Sequence, residues 1–101
     1  PIANNFHKIY LYSKIYIMDN FFENIITKLK NEIKIEHVEI VDNSYKHLKH
    51  KSFSPDKLHL RLKVKSLYLS SIPRVKAQRE IMRVLRAELS SKIHALEISI
   101  E

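Results

Sequence analysis

The chain has 101 residues, enough for one domain with a core and little more. It contains no cysteine, which excludes disulfides, thiol nucleophiles and any all-protein zinc or iron–sulfur site built on thiolates. It also contains no glycine, which excludes the Gly-dependent phosphate loops of P-loop, Rossmann and kinase-type proteins. A formal net charge of +7 favours an anionic partner such as nucleic acid, an acidic protein face or a membrane surface, although such charge also simply keeps small proteins soluble.

Residues 1–18 are rich in Ile and Tyr but show neither a helical stripe nor a cap. Lys8, Ser13 and Lys14 break the continuous apolar run that a secretory signal needs. We read this segment as a flexible N-terminal tail, with Met18 as the natural start and residues 19–101 as the domain. No apolar run approaches the ~20 residues of a membrane span. The compartment therefore reads as cytoplasmic.

The first helix is predicted from about Phe21 to Lys34, with Asn20 as N-cap and Glu23 as its capping-box partner. Phe22, Ile25, Ile26, Leu29 and Ile33 keep the spacing of one buried face. The period then changes to two. His37-Val38-Glu39-Ile40-Val41 reads as a strand with Val38 and Ile40 inward. Asn43 to Asp56 is a long polar loop carrying Tyr45, Lys46, His47 and His50, and loops of that length in small domains are usually functional or disordered. Leu58 to Leu67 alternates strictly, with Leu58, Leu60, Leu62 and Val64 on one side and His59, Arg61, Lys63 and Lys65 on the other. That pattern means one covered face and one wet face.

Pro73 suits the first turn of a second helix, Arg74 to Leu89. Val75, Gln78, Ile81, Met82, Leu85 and Leu89 are its expected apolar arc, and Lys76, Arg79, Arg83 and Arg86 an adjacent basic stripe. The last strand, Ile93 to Ile100, is expected to place His94, Leu96, Ile98 and Ile100 on one side. The order is α-β-β-α-β. A crossover helix between the second and third strands favours a parallel pair there, so the sheet is expected to be mixed, with both helices on one face. No nucleophile stands near a base and the carboxylates are scattered, so the chain does not read as an enzyme.

Four segments carry a family resemblance: Val38-Glu39-Ile40-Val41-Asp42-Asn43-Ser44-Tyr45-Lys46-His47, His59-Leu60-Arg61-Leu62, Arg74-Val75-Lys76-Ala77-Gln78, and Ala87-Glu88-Leu89 with Ile93-His94-Ala95-Leu96. In this order and spacing the chain resembles the BolA family, in the sub-branch with R-V-K-x-Q at the helix start. Gln78 stands where many members have the histidine of an R-H-R triplet, and Ser71 is the residue nearest a turn that usually holds glycine.

The resemblance implies an α+β, type II KH-like fold, with an extra helical turn after the second strand in some members. It implies an adaptor role, monomeric in isolation and with no tightly bound cofactor of its own. Such an adaptor pairs with a monothiol glutaredoxin to bind, stabilise or transfer a [2Fe–2S] cluster in iron homeostasis and stress response. His94 matches the family's cluster ligand. His47 matches a variable second ligand, for which His50 could substitute. The glutaredoxin and its glutathione would supply the thiolates. The alternative is a nucleic-acid-binding regulator that uses the basic stripe, since some members are described as DNA-binding. A solvated histidine or a solvated helix face is the plainer reading of each feature. His59 reads as structural, on the wet face of its strand.

Deleting residues 1–17 is expected to change unfolding free energy by less than about 1 kcal/mol, as for an untethered tail. Chemical denaturation of the truncated chain checks this; failure to fold would place the Ile and Tyr side chains of the segment in the core.

Overall fold

A computed structural model of the chain describes residues 20–44 and 58–101. The N-terminal segment and most of the long polar loop, His47 and His50 included, lie outside the described residues.

Helix α1 covers residues 20–32. Asn20, expected to cap it, already lies within it. Ile25, Leu29 and Ile33 form its buried face, with Phe22 and Ile26 packed at the edge. The strands follow as β1 (His37–Asp42) and β2 (Leu58–Lys65). Then come three helical pieces, α2 (Leu67–Ser71), α3 (Arg74–Val84) and α4 (Arg86–Ser91), and finally β3 (Ile93–Ile100). The sheet order is β1-β2-β3. β1 runs antiparallel to β2 and β3 parallel to it, as the crossover predicts. β2 is thus the central strand. Its Leu58, Leu60, Leu62 and Val64 are buried against α1 and α3, while His59, Arg61, Lys63 and Lys65 occupy the other face. The sheet is covered on one side, and the wet face is left open for function.

Two features were not legible in the periodicity. The second helix breaks at Leu85 (φ −95°, ψ 16°), so α3 and α4 are separate. The buried face of α3 is also rotated from the expected arc. Ala77, Ile81, Val84 and Leu85 are buried, whereas Val75 is 61% and Met82 48% exposed. Ala77, small and easily passed over in an apolar pattern, is fully buried and takes part in the inward face, while Val75 and Met82 lie outside it. Arg79 lies between Val75 and Met82 along the helix (i, i+4, i+7), so the outer face of α3 mixes cations with apolar groups.

The extra helical turn is present as α2, capped by Ser66. Ser66 is fully buried. Its hydroxyl donates to the Lys34 carbonyl at 2.7 Å and accepts from the Leu69 amide at 3.0 Å. Its own amide donates to the Glu101 carbonyl at 3.1 Å. One side chain therefore ties the exit of α1 to the start of α2, and its backbone ties β2 to the end of β3. α2 is held to α3 by the Tyr68 hydroxyl, which donates to Glu80 Oε1 at 2.9 Å. The hydrogen bond to Glu80, and then its negative charge, raise the Tyr68 phenol above the ordinary tyrosine range.

Ser66→Ala is expected to lower the unfolding free energy by about 1–3 kcal/mol, because it removes an N-cap and leaves the Lys34 carbonyl without that donor. Urea denaturation measures it; a change within about 0.5 kcal/mol, the range of an ordinary surface substitution, would contradict it.

Candidate functional site: a histidine at a bulge

The chain leaves α4 through Lys92, whose carbonyl accepts from the Leu58 amide at 2.8 Å. The next residue, Ile93, is buried opposite Leu58. The register then shifts: Leu58 pairs with Ile93, but His59 pairs with Ala95. β3 thus carries one extra residue at this point, a β-bulge, and His94 is that residue. Beyond it Leu96, Ile98 and Ile100 face Leu60, Leu62 and Val64.

The bulge overturns one expectation from simple alternation. His94 does not share the inward face of Leu96, Ile98 and Ile100; it is exposed. The physical reason is parity. Side chains alternate with a period of two, so one inserted residue lets Ile93 and Leu96 both face the core. His94 is displaced onto the open side of the sheet.

There it meets His59. The two imidazole centroids are 5.1 Å apart, with the rings inclined by 62°. His59 is itself held on both sides of its backbone. Its amide donates to Ser44 Oγ at 3.0 Å, and its carbonyl accepts from the Asn43 amide at 2.8 Å. The Ser44 amide donates in turn to Asp42 Oδ1 at 2.9 Å. The end of β1 is therefore tied to the corner that holds His94. Sequence reading assigned His59 only a structural place. The alternation of β2 puts it on the wet face, but the bulge that brings His94 alongside depends on pairing between distant segments and leaves no local sequence signal. Among the described residues, no group of three or more His, Asp or Glu side chains converges as a metal site.

The four cations of the basic stripe are all exposed, but the fold divides them. Arg83 and Arg86 line an open cleft of about 600 Å³ together with Lys28 and Glu32 of α1 and Ser90 of α4. Lys76 and Arg79 do not line it. Beside the cleft, Lys28 pairs with Glu88 at 3.0 Å, joining α1 to α4. The Lys92 ammonium sits 5.1 Å from the Phe21 ring centroid and makes a second link between α1 and the segment leading to His94. No helix among the described residues is long and apolar enough to cross a membrane.

The small α+β domain with a three-stranded mixed sheet and helices on one face is the fold of a known family. The model of the BolA-like protein family matches residues 29–101, and the chain belongs to that family. Among solved structures, it is similar to the BolA domain of SufE1 from Arabidopsis thaliana. Identity is 32% and TM-score 0.65, over 78% of this chain and 87% of that one. It is also similar to BolA1 from Arabidopsis thaliana, with 26% identity and TM-score 0.62 over 78% and 87% of the two chains. A bol-like protein from Babesia bovis, at 16% identity and TM-score 0.57 over 75% and 77%, shares the fold. Among curated proteins, none matches the chain significantly.

If the stripe contacts nucleic acid, binding should be electrostatic. Replacing Arg79 and Arg83 together by Gln is expected to weaken binding to any duplex and to reduce the salt slope by up to about two released counterions. Filter binding across a salt series reads this; tight, sequence-selective binding that persists at high salt would contradict it.

Proposed function

We propose that the chain is a BolA-like adaptor, not an enzyme, that pairs with a monothiol glutaredoxin to bind, stabilise or transfer a [2Fe–2S] cluster. The observation that carries the reading is the exposed His94 imidazole, set at a bulge on the corner of the domain. Family membership directs attention to that residue, and its exposure gives it the access that a ligand to a shared group needs. The donor chemistry fits. Imidazole is a competent iron ligand, and a chain without cysteine has nitrogen rather than thiolate to contribute. Two His in place of two Cys on one iron raise a cluster's potential, which is the chemistry such ligation would supply. The glutaredoxin and its glutathione provide the sulfur.

The chain's own residues do three things in this reading. The bulge fixes the backbone of His94 and turns its ring outward. His59 packs against that ring and limits its rotation. Ser44 anchors the root of the long loop beside His59. His47 stands three positions after Ser44, a span of at most roughly 11 Å, so it is within covalent reach of the corner as a second ligand, with His50 as its substitute. The location proposed is the cytoplasm, and the isolated chain is a monomer without tightly held cofactor.

A second reading, a nucleic-acid-binding regulator, draws on the exposure of Lys76, Arg79, Arg83 and Arg86. The absence of glycine removes the GXXG loop by which KH domains clamp a nucleic-acid backbone, so contact would be with phosphates alone.

His94→Ala is expected to keep the fold and to abolish the mixed cluster species formed with a monothiol glutaredoxin, leaving the absorption and circular dichroism of the glutaredoxin homodimer. His94 is exposed and fills no core position, so the substitution should cost less than about 1 kcal/mol. A well-folded variant that retained the wild-type mixed spectrum would remove His94 from the ligand set.

A further inference from the structure

Among the described residues, the large apolar side chains left exposed are Leu67, Tyr68, Val75 and Met82, and all four lie on α2 or α3. Two of them share a face of α3 with cations. Val75, Arg79 and Met82 are spaced i, i+4, i+7, and Lys76, Arg79 and Arg83 are spaced i, i+3, i+7. An apolar row and a basic row therefore run side by side and meet at Arg79. This face points away from the sheet, because Ala77, Ile81 and Val84 hold the opposite arc in the core. Lys76, Arg79 and Arg83 form no ion pair with any described residue. The only carboxylate of α3, Glu80, accepts from the Tyr68 hydroxyl on α2. A phosphate backbone rewards the cations of such a face but leaves Val75 and Met82 in water. Apolar groups flanking an arginine suit the core of a protein interface, where Met and Arg are enriched.

We infer that the outer face of α3 docks an acidic amphipathic helix of a partner protein. Val75 and Met82 stand about 10 Å apart along α3, two turns, which matches apolar residues seven positions apart on the incoming helix. Glu or Asp beside that stripe meets Lys76 and Arg79, the arginine stem covering apolar surface while its guanidinium pairs with the carboxylate. His94 stands with His59 on the open side of the sheet, whereas this face lies beyond the helices. One chain can therefore hold such a partner and a glutaredoxin together, and the inference does not rest on the cluster reading.

The probe is a designed Ala-based peptide of roughly 15 residues, the length at which an isolated helix begins to hold, with one stripe of Leu flanked by Glu. Titrated into the full chain and followed by NMR and fluorescence anisotropy, it should shift the signals of Val75, Lys76, Arg79 and Met82. A peptide of the same composition with its Leu residues scattered off the stripe should bind at least about tenfold more weakly, and so should Val75→Ser/Met82→Ser with the original peptide. Both positions are exposed, so the variant should fold, which circular dichroism checks. Should it not fold, Arg79→Glu gives the answer: it should lose affinity for the Glu peptide and gain affinity for one with Lys in place of Glu. Absence of peptide binding, equal binding of the scattered peptide, or shifts confined to other elements would each overturn the docking face. Binding of duplex DNA or of phosphatidylserine–phosphatidylcholine vesicles in place of the peptide, weakened by Val75→Ser/Met82→Ser, would overturn it in favour of those partners. The mixed complex with glutaredoxin should survive Val75→Ser/Met82→Ser, and His94→Ala should still bind the peptide. Loss of the mixed complex in the first variant would make this face the glutaredoxin's own dock and overturn a separate partner. A wild-type chain that bound the peptide but formed no mixed complex would sink the cluster reading alone.

Discussion

The pairing of β2 with β3 carries one more residue on β3 than on β2, and the placement of His94 depends on that excess. Leu58 faces Ile93, and Leu60 faces Leu96. Three residues on one strand, Leu58 to Leu60, are matched to four on the other, Ile93 to Leu96. Without the insertion, keeping Leu96, Ile98 and Ile100 inward would turn His94 toward the core and Ile93 toward water. An imidazole buried there would have to be neutral and hydrogen-bonded, and an exposed Ile93 would forfeit about 1.5–3 kcal/mol of burial. The bulge satisfies both halves of β3 at once. Ile93 closes the core beneath the α4 exit, and the later residues cover the sheet from the other parity. His94 is the residue displaced outward, which makes its exposure a consequence of packing in its neighbours.

That constraint works only because β2 is fixed at the centre of the sheet. β1 pins one side of it in antiparallel register from His37–Lys65 to Asp42–Leu60. At the far end Ser66 joins β2 to Lys34 and Glu101. At the near end Asn43 and Ser44 bond to both sides of the His59 peptide. His94, His59 and Ser44 at the end of β1 are therefore brought to one place by backbone pairing. The helices supply a different surface. Arg83 and Arg86 join Lys28 in a cleft between α1 and the α3–α4 break, while Arg79 lies among exposed Val75 and Met82. The cations are thus divided between two surfaces, and in the cleft they stand beside Glu32 and the Lys28–Glu88 pair.

Much of this was legible in the sequence. The alternation of Leu58 to Val64, the i, i+4, i+8 spacing of Ile25, Leu29 and Ile33, and the crossover rule together yield the element order and the mixed sheet. What escaped has common physical causes. Ala77 contributes little to an apolar count but is fully buried, whereas Val75 and Met82, which weigh more in the pattern, are exposed. The break at Leu85 has no proline or glycine to announce it. Ser66 looked like one more strand residue because its cap links α2 to a carbonyl 32 positions away in sequence. The bulge at His94 is a property of register between segments joined by three helices, and local periodicity could only extend the alternation through it. His59 was underestimated for the same reason. Its importance comes from what the bulge places beside it.

The proposed ligation of a glutaredoxin-shared cluster by an imidazole of this chain is open to a direct test. The most direct measurement is pulsed electron paramagnetic resonance of the reduced complex, assembled from ¹⁵N-histidine-labelled chain and unlabelled monothiol glutaredoxin. A strong ¹⁵N coupling of the size of a directly bound imidazole nitrogen, lost on His94→Ala, is expected. A reduced mixed complex with no ¹⁵N coupling from this chain would contradict it.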